Sequence, residues 1–232
     1  MNWKKIIPIH PAVIAVWAAL LAAMEFVPVT PIIGLKGATF RLSDALYPLT
    51  GILFGPWAGA ICAAIGSFVG ESLASPPIGP FTFVCVLAAL MAGFAMQRRW
   101  IWPLVTILAL GLVWYAFPLG REAWFQPFLY LLGIFAAIVG WIWGSDWLRS
   151  EDRKKMFAGV FVAALAGTAA DHALGCLIAL ILYALPKGMW AAALPLAPVE
   201  RLSFSLGAAI VGVPLIVALP RVGITVGPKI YE

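Results

Sequence analysis

Charge is scarce in this sequence: 15 Lys and Arg and 10 Asp and Glu stand among 232 residues, 63% of which are hydrophobic, and mean hydropathy is +1.01. A soluble domain carries about twice that charged fraction, so an ordinary soluble fold is excluded. Histidine is nearly absent, at His10 and His172, and the three cysteines, Cys62, Cys85 and Cys176, lie far apart in sequence. Such a set offers neither a zinc site nor a disulfide framework, and no metal or other cofactor is expected. A G-x-x-x-x-G-K-[ST] run is missing as well. The chain therefore cannot hydrolyse ATP by the P-loop route, and any ATP-driven role needs other subunits. The small basic excess, a formal +5, falls in loops between apolar runs, where it sets membrane topology and implies no nucleic-acid partner.

Long apolar runs are what the sequence has in abundance. They are too long and unbroken for the short alternating strands of a β-barrel, and about 20 residues suffice per helical span. The expected fold is all-α: a polytopic membrane helix bundle of about eight helices, forming a single transmembrane domain over 1–232 with lipid around it. The spans are expected at 11–29, 42–54, 57–73, 81–96, 102–118, 124–143, 157–185 and 200–219. The first run is too long for a signal peptide, and Glu25 falls where a cleavage region is bland, so it is read as an uncleaved helix. The second, with Pro48 inside it, rises only about 20 Å. A loop at 30–40 and a turn at 75–80 link these helices, 145–155 is the most polar segment, and the tail RVGITVGPKIYE is expected to be solvated.

Loop charges orient the bundle. With the N-terminus inside, ten of the fifteen Lys and Arg are cytoplasmic: Lys4, Lys5, Arg98, Arg99, Arg149, Arg153, Lys154, Lys155, Arg221 and Lys229. Lys36, Arg41, Arg121, Lys187 and Arg201 fall outside, so both termini are expected in the cytoplasm. Glu25, Asp44, Glu71 and Glu200 then share the outer ends of their helices. Carboxylates are costly beside lipid and so are expected to face protein, water or ligand. Each has a plain alternative: Asp44 as a helix N-terminal cap, Glu25 and Glu71 as solvated helix ends, with Arg41 as a neutralising partner. Asp171-His172 lies deep in the seventh run, where an aspartate costs roughly 2.5–3.5 kcal/mol and demands a partner. A hydrogen bond to a neighbouring helix, a substrate contact and a proton site all satisfy that demand.

The stretch Asp44-Ala-Leu-Tyr-Pro48, the close Leu-Thr-Gly51-Ile-Leu-Phe-Gly55-Pro56 and the small-residue helix with Gly59, Gly66 and Gly70 resemble the substrate-binding S-components of energy-coupling-factor (ECF) transporters. Ala15, Ala19 and Ala23, four apart on the first helix, are similar to the stripe by which those proteins dock on the transmembrane coupling subunit. Close internal packing is the other use of such a stripe. The resemblance implies a six-helix core, with 11–96 as helices 1–4, 157–219 as the last two, and 101–144 as an added pair. It also places a lid at the 30–40 loop. The implied function is not enzymatic: capture of a vitamin or similar small nutrient at a prokaryotic plasma membrane, for uptake driven by partner ATPase subunits. Candidate substrate contacts are Glu25, Arg41, Asp44, Tyr47, Thr50, Glu71, Asp171 and His172. A stand-alone proton-coupled transporter using Asp171 is the alternative, and an intramembrane enzyme with Asp171-His172 as acid–base pair lacks a nucleophile. The charge of the substrate stays open, because acidic and basic residues share the same rim.

Overall fold

The computed structural model describes residues 9–34, 37–74 and 78–231, so Lys4, Lys5, Lys36 and the first half of the 75–80 turn lie outside the described residues. Helices dominate: α1 (Pro11–Met24), α2 (Ser43–Phe54), α3 (Pro56–Ala74), α4 (Cys85–Met96), α5 (Ile101–Trp114), α6 (Gln126–Trp147), α7 (Arg153–Tyr183) and α8 (Leu196–Ala218). Short helices at Pro118–Glu122 and Lys187–Ala193 join the longer ones. Four helices, α3, α6, α7 and α8 with its extension to Val222, are long and apolar enough to cross a membrane, and α1, α4 and α5 are shorter apolar helices. The chain is a nearly all-α membrane bundle.

The ends of these helices follow local chemistry. α1 starts at Pro11, with His10 Nδ1 accepting the Ala12 N–H at 3.2 Å, and α7 starts where Asp152 accepts the Lys154 N–H at 2.8 Å. Gly55, at φ 84°, makes the sharp turn from α2 into Pro56 of α3. α6 begins as a 3-10 turn over Gln126–Tyr130, runs as α-helix over Leu131–Val139, and contains a π turn at Gly140–Gly144.

Four expectations are corrected. The first helix stops at Met24, because Pro28 and Pro31 lack the N–H a helix needs and the β-branched residues around them favour extended backbone. The expected open loop is instead an antiparallel hairpin of β1 (Pro28–Pro31) and β2 (Thr39–Arg41), with Thr30 opposite Phe40. α4 starts four residues late, after a chain of i→i+3 bonds around Phe81 and Val84. The tail is packed: Val226 is fully buried, and Gly227 lies against Ile216 and the Ile52 carbonyl.

α7 is the central element and touches α4, α8, α6 and α5. The pair α5 and α6 stacks on its flank. On the other side α2, α3 and α4 meet at backbone distance. A Cβ on Gly51 would sit 1.8 Å from the Ala89 carbonyl oxygen, and one on Gly59 would sit 2.7 Å from Gly51 Cα. Lipid gives helices no hydrophobic reason to associate, so this contact depends on missing side chains. Gly51→Val is therefore expected to cost on the order of 3 kcal/mol or more and to abolish recovery of monodisperse protein from membranes. Gly188→Ala, whose Cβ would meet nothing within 4 Å, should melt like wild type in the same thermal-shift assay. A Gly51→Val protein as stable as wild type would mean the three helices can separate at no cost.

Successive long helices run in opposite directions. Glu25 and Glu71 close α1 and α3, Asp44 stands in the first turn of α2, Glu200 follows the first turn of α8, and Asp171 lies in the same half of α7. All of them face one end of the bundle, while the packed tail lies at the other end, beside Ile52.

Candidate functional site

A cavity of about 580 Å³ opens at the carboxylate end, between α1, α2, α3, α4, α7 and α8, with the β-hairpin across it. That size and a wall mostly apolar with converging polar groups are usual for a small-molecule site. Seven of the eight proposed contact residues line it: Glu25, Arg41, Asp44, Tyr47, Glu71, Asp171 and His172. Thr50 does not. It is wholly buried, accepting from Trp17 Nε1 at 2.8 Å and donating to the Leu46 carbonyl at 2.8 Å, so the hydroxyl is used up tying α1 to α2.

The carboxylates are not solvated ends. Glu25 is 5% exposed and accepts from Ser43 Oγ at 2.5 Å and from the Tyr47 hydroxyl. Arg41 Nε lies 3.3 Å from the Glu25 carboxylate, and Arg41 Nη1 donates to the Glu25 carbonyl. One guanidinium thus ties the end of β2 to the end of α1. Asp44 accepts the Arg41 backbone N–H at 2.6 Å, so from the first turn of α2, whose N-cap Leu42 makes no side-chain cap, it holds the end of β2 while still facing the cavity. Glu71 accepts from the Thr82 hydroxyl, which links α3 to the turn before α4.

Asp171 finds its compensating partner on α8: Arg201 Nη1 stands 3.5 Å from Asp171 Oδ2, and Arg201 Nη2 stands 3.8 Å from Glu200. Arg201 is 3% exposed, and its guanidinium lies against both Phe40 and Phe204, at 4.5 and 5.0 Å from their ring centroids. Among the described residues its Nε, Nη1 and Nη2 have no hydrogen-bond partner. Five N–H groups fan out from a guanidinium, so a buried one without hydrogen bonds is costly and suited to a ligand oxygen. Sequence reasoning counted Arg201 only as a rim charge. The signal available was Glu200-Arg201 at the head of an otherwise apolar run.

Two walls of different chemistry result. The α1–α3 side carries Glu25, Asp44 and Glu71, which are acceptors. The side formed by α7 and the 185–193 segment is aromatic: Phe81 stacks on Tyr183 with centroids 5.9 Å apart, and Trp190 meets Trp114 edge-on at 4.9 Å. Gly34, at φ 88°, rests on this side, with Leu185 and Met189 beside its Cα. Thr30 donates to Glu200 at 2.7 Å, so the hairpin is tied to α8 as well as α1. His172 faces the cavity with its ring edge-on to Tyr130, and no cluster of metal-ligating residues forms among the described residues.

On α1 the small residues divide into two faces. Ala18 and Ala22 press on Gly66 and Gly70 of α3, whereas Ala15, Ala19 and Ala23 are exposed on the outward face. Internal packing therefore does not account for the stripe.

A family model described as the ECF-type riboflavin transporter, S component, matches residues 9–187. The uncharacterized protein MJ0923 of Methanocaldococcus jannaschii is 27% identical over 116 residues, which is 50% of this chain and 39% of that protein. The matched stretch thus spans about two fifths of that relative's length. No solved structure matches.

Proposed function

The chain belongs to the S components of ECF-type riboflavin transporters, and from that membership we propose that its cavity captures riboflavin, or a flavin of the same shape, for ATP-driven uptake. As a member it is the substrate-binding subunit of a transporter, a membrane protein and not an enzyme. The observation that carries the substrate reading is the division of the cavity into an aromatic wall and a carboxylate wall. Riboflavin is a flat tricyclic ring bearing a polyhydroxylated chain. Its ring has the shape to lie against Tyr183, Phe81 and Trp190, and its hydroxyls are donors for Glu25, Asp44 and Glu71. Arg201 supplies N–H groups to a ring carbonyl or a hydroxyl.

Orientation follows from the charges. Arg98, Arg99, Arg149, Arg153, Lys154, Lys155, Arg221 and Lys229 belong to the end opposite the cavity, while Arg41, Arg121, Lys187 and Arg201 belong to the cavity end. The cationic end faces the cytoplasm by the positive-inside rule, which opens the cavity outward in a multi-pass plasma-membrane protein. The partners in this reading are a transmembrane coupling subunit, met by the exposed Ala15, Ala19 and Ala23, and ATPase subunits that supply the motif this chain lacks.

The test is direct. The protein purified in mild detergent should retain a flavin mass in a native spectrum, and added riboflavin should quench its tryptophan fluorescence saturably. If no flavin is retained and no saturable quenching is seen, riboflavin is removed as the substrate.

A further inference from the structure

Gln126 opens α6 on the cavity side of the α5–α6 pair, with Pro127 fixing the start of the helix. Its side chain is 1% exposed and lines the cavity. Nε2 donates to Cys176 Sγ at 3.3 Å. With the amide held that way, Oε1 points elsewhere, and it is buried with no hydrogen-bond partner among the described residues. A strong acceptor left unpaired inside a protein is unfavourable, and sulfur is a weak partner for the amide's other end. This arrangement is poor packing but a ready receptor for an N–H.

The surroundings say what kind of N–H. Cys176 belongs to the same apolar cluster as Ala179, Leu180 and Trp190, and Tyr130 stands edge-on to His172 next to it. Gln126 Oε1 is thus an acceptor set into the aromatic wall, apart from the carboxylates of α1, α2 and α3. Hydroxyl donors find carboxylate partners on the opposite side. A planar ring lying against the aromatic wall instead presents a donor in its own plane.

Resting on the riboflavin reading, we propose that Gln126 is a specificity-determining residue whose Oε1 accepts the imide N–H of the flavin ring. The α5–α6 pair then contributes directly to substrate recognition. Riboflavin has one ring N–H, so the contact can be removed from either side, by changing the residue or by methylating that nitrogen.

The experiment titrates riboflavin and its imide-N-methyl derivative into the full-length wild type, Gln126→Leu and Gln126→Met. Met is unbranched, flexible and close to Gln in length, and serves if Leu disturbs the wall. Wild type should prefer riboflavin over the methylated compound by about tenfold or more. Both variants should lose about tenfold for riboflavin and bind the two compounds alike. The ratio is taken within one chain, so a partial loss of folded protein does not move it. A merely structural glutamine would weaken both compounds equally and leave the preference in place. That result, with wild type binding riboflavin, overturns the assignment and leaves the substrate reading standing. No riboflavin binding by wild type overturns the substrate reading and this contact with it.

Discussion

Arg201→Met is expected to weaken riboflavin binding about a hundredfold. The guanidinium is buried against the rings of Phe40 and Phe204, and its three nitrogens find no hydrogen bond among the described residues. Its ion-pair distances to Asp171 and Glu200, 3.5 and 3.8 Å, are longer than a well-formed charged hydrogen bond. The site therefore holds donors in reserve, which an oxygen of the ligand satisfies. Removing the cation also leaves Asp171 without its partner in a low-dielectric place, so the variant should melt at lower temperature even without ligand. The two effects separate in the double variant Arg201→Met with Asp171→Asn. Stability should return, because the orphaned carboxylate is gone, while affinity stays low. Arg201→Lys should recover part of the affinity, since an ammonium keeps the charge but loses the planar fork. Binding of Arg201→Met within about threefold of wild type would reduce Arg201 to a structural counter-ion for Asp171.

Ala19→Trp is expected to abolish uptake while leaving the affinity of the isolated subunit unchanged. Ala19 lies on the exposed face of α1, with Ala15 and Ala23 a turn to either side, and no described residue covers it. An indole there stands off any helix that needs the bare surface to approach. Ala18→Trp is the contrasting variant: Ala18 is 3% exposed and its carbonyl lies 3.0 Å from where a Cβ on Gly66 would sit, so that change should destroy the fold and binding together. Uptake in whole cells and riboflavin titration of purified protein read the two outcomes. Normal uptake by the Ala19→Trp protein would move the docking surface off α1.

The helices were legible because long apolar runs bounded by Pro, Gly and charge have little choice in a membrane, and the Gly55-Pro56 turn and the small residues of α3 pointed to close helix contacts. The convergence of Glu25, Asp44 and Glu71 was legible for the same reason, since alternating helix directions put them at one end. What the sequence concealed depends on pairing across the chain. The 28–41 hairpin draws on Arg41 reaching back to Glu25 and Thr30 reaching Glu200, separations that no local pattern encodes. Thr50 looked like a lining residue on a polar helix face, yet Trp17 needed a partner for its indole N–H and took it. The short tail looked solvated, but Val226 is buried in the core and Gly227 lies against Ile216 of α8 and the Ile52 carbonyl of α2. Gln126 fell inside the expected 124–143 span and was not singled out, with the Gln-Pro step before an apolar run as its one visible sign.

The π turn at Gly140–Gly144 fixes the rotational phase of α6. A π turn holds one residue more than an α turn, and each residue advances a helix by about 100°. Downstream of it, Ser145 accepts from Trp100 Nε1 at 2.8 Å, and Gly140 and Gly144 leave room for the indole ring. Upstream, Gln126 is aimed at Cys176. The inserted residue lets one helix keep both appointments. Deleting a single residue from the turn would restore an ideal α-helix yet swing its far end a quarter-turn round, so that here the more regular helix would be the one that no longer reads the cavity.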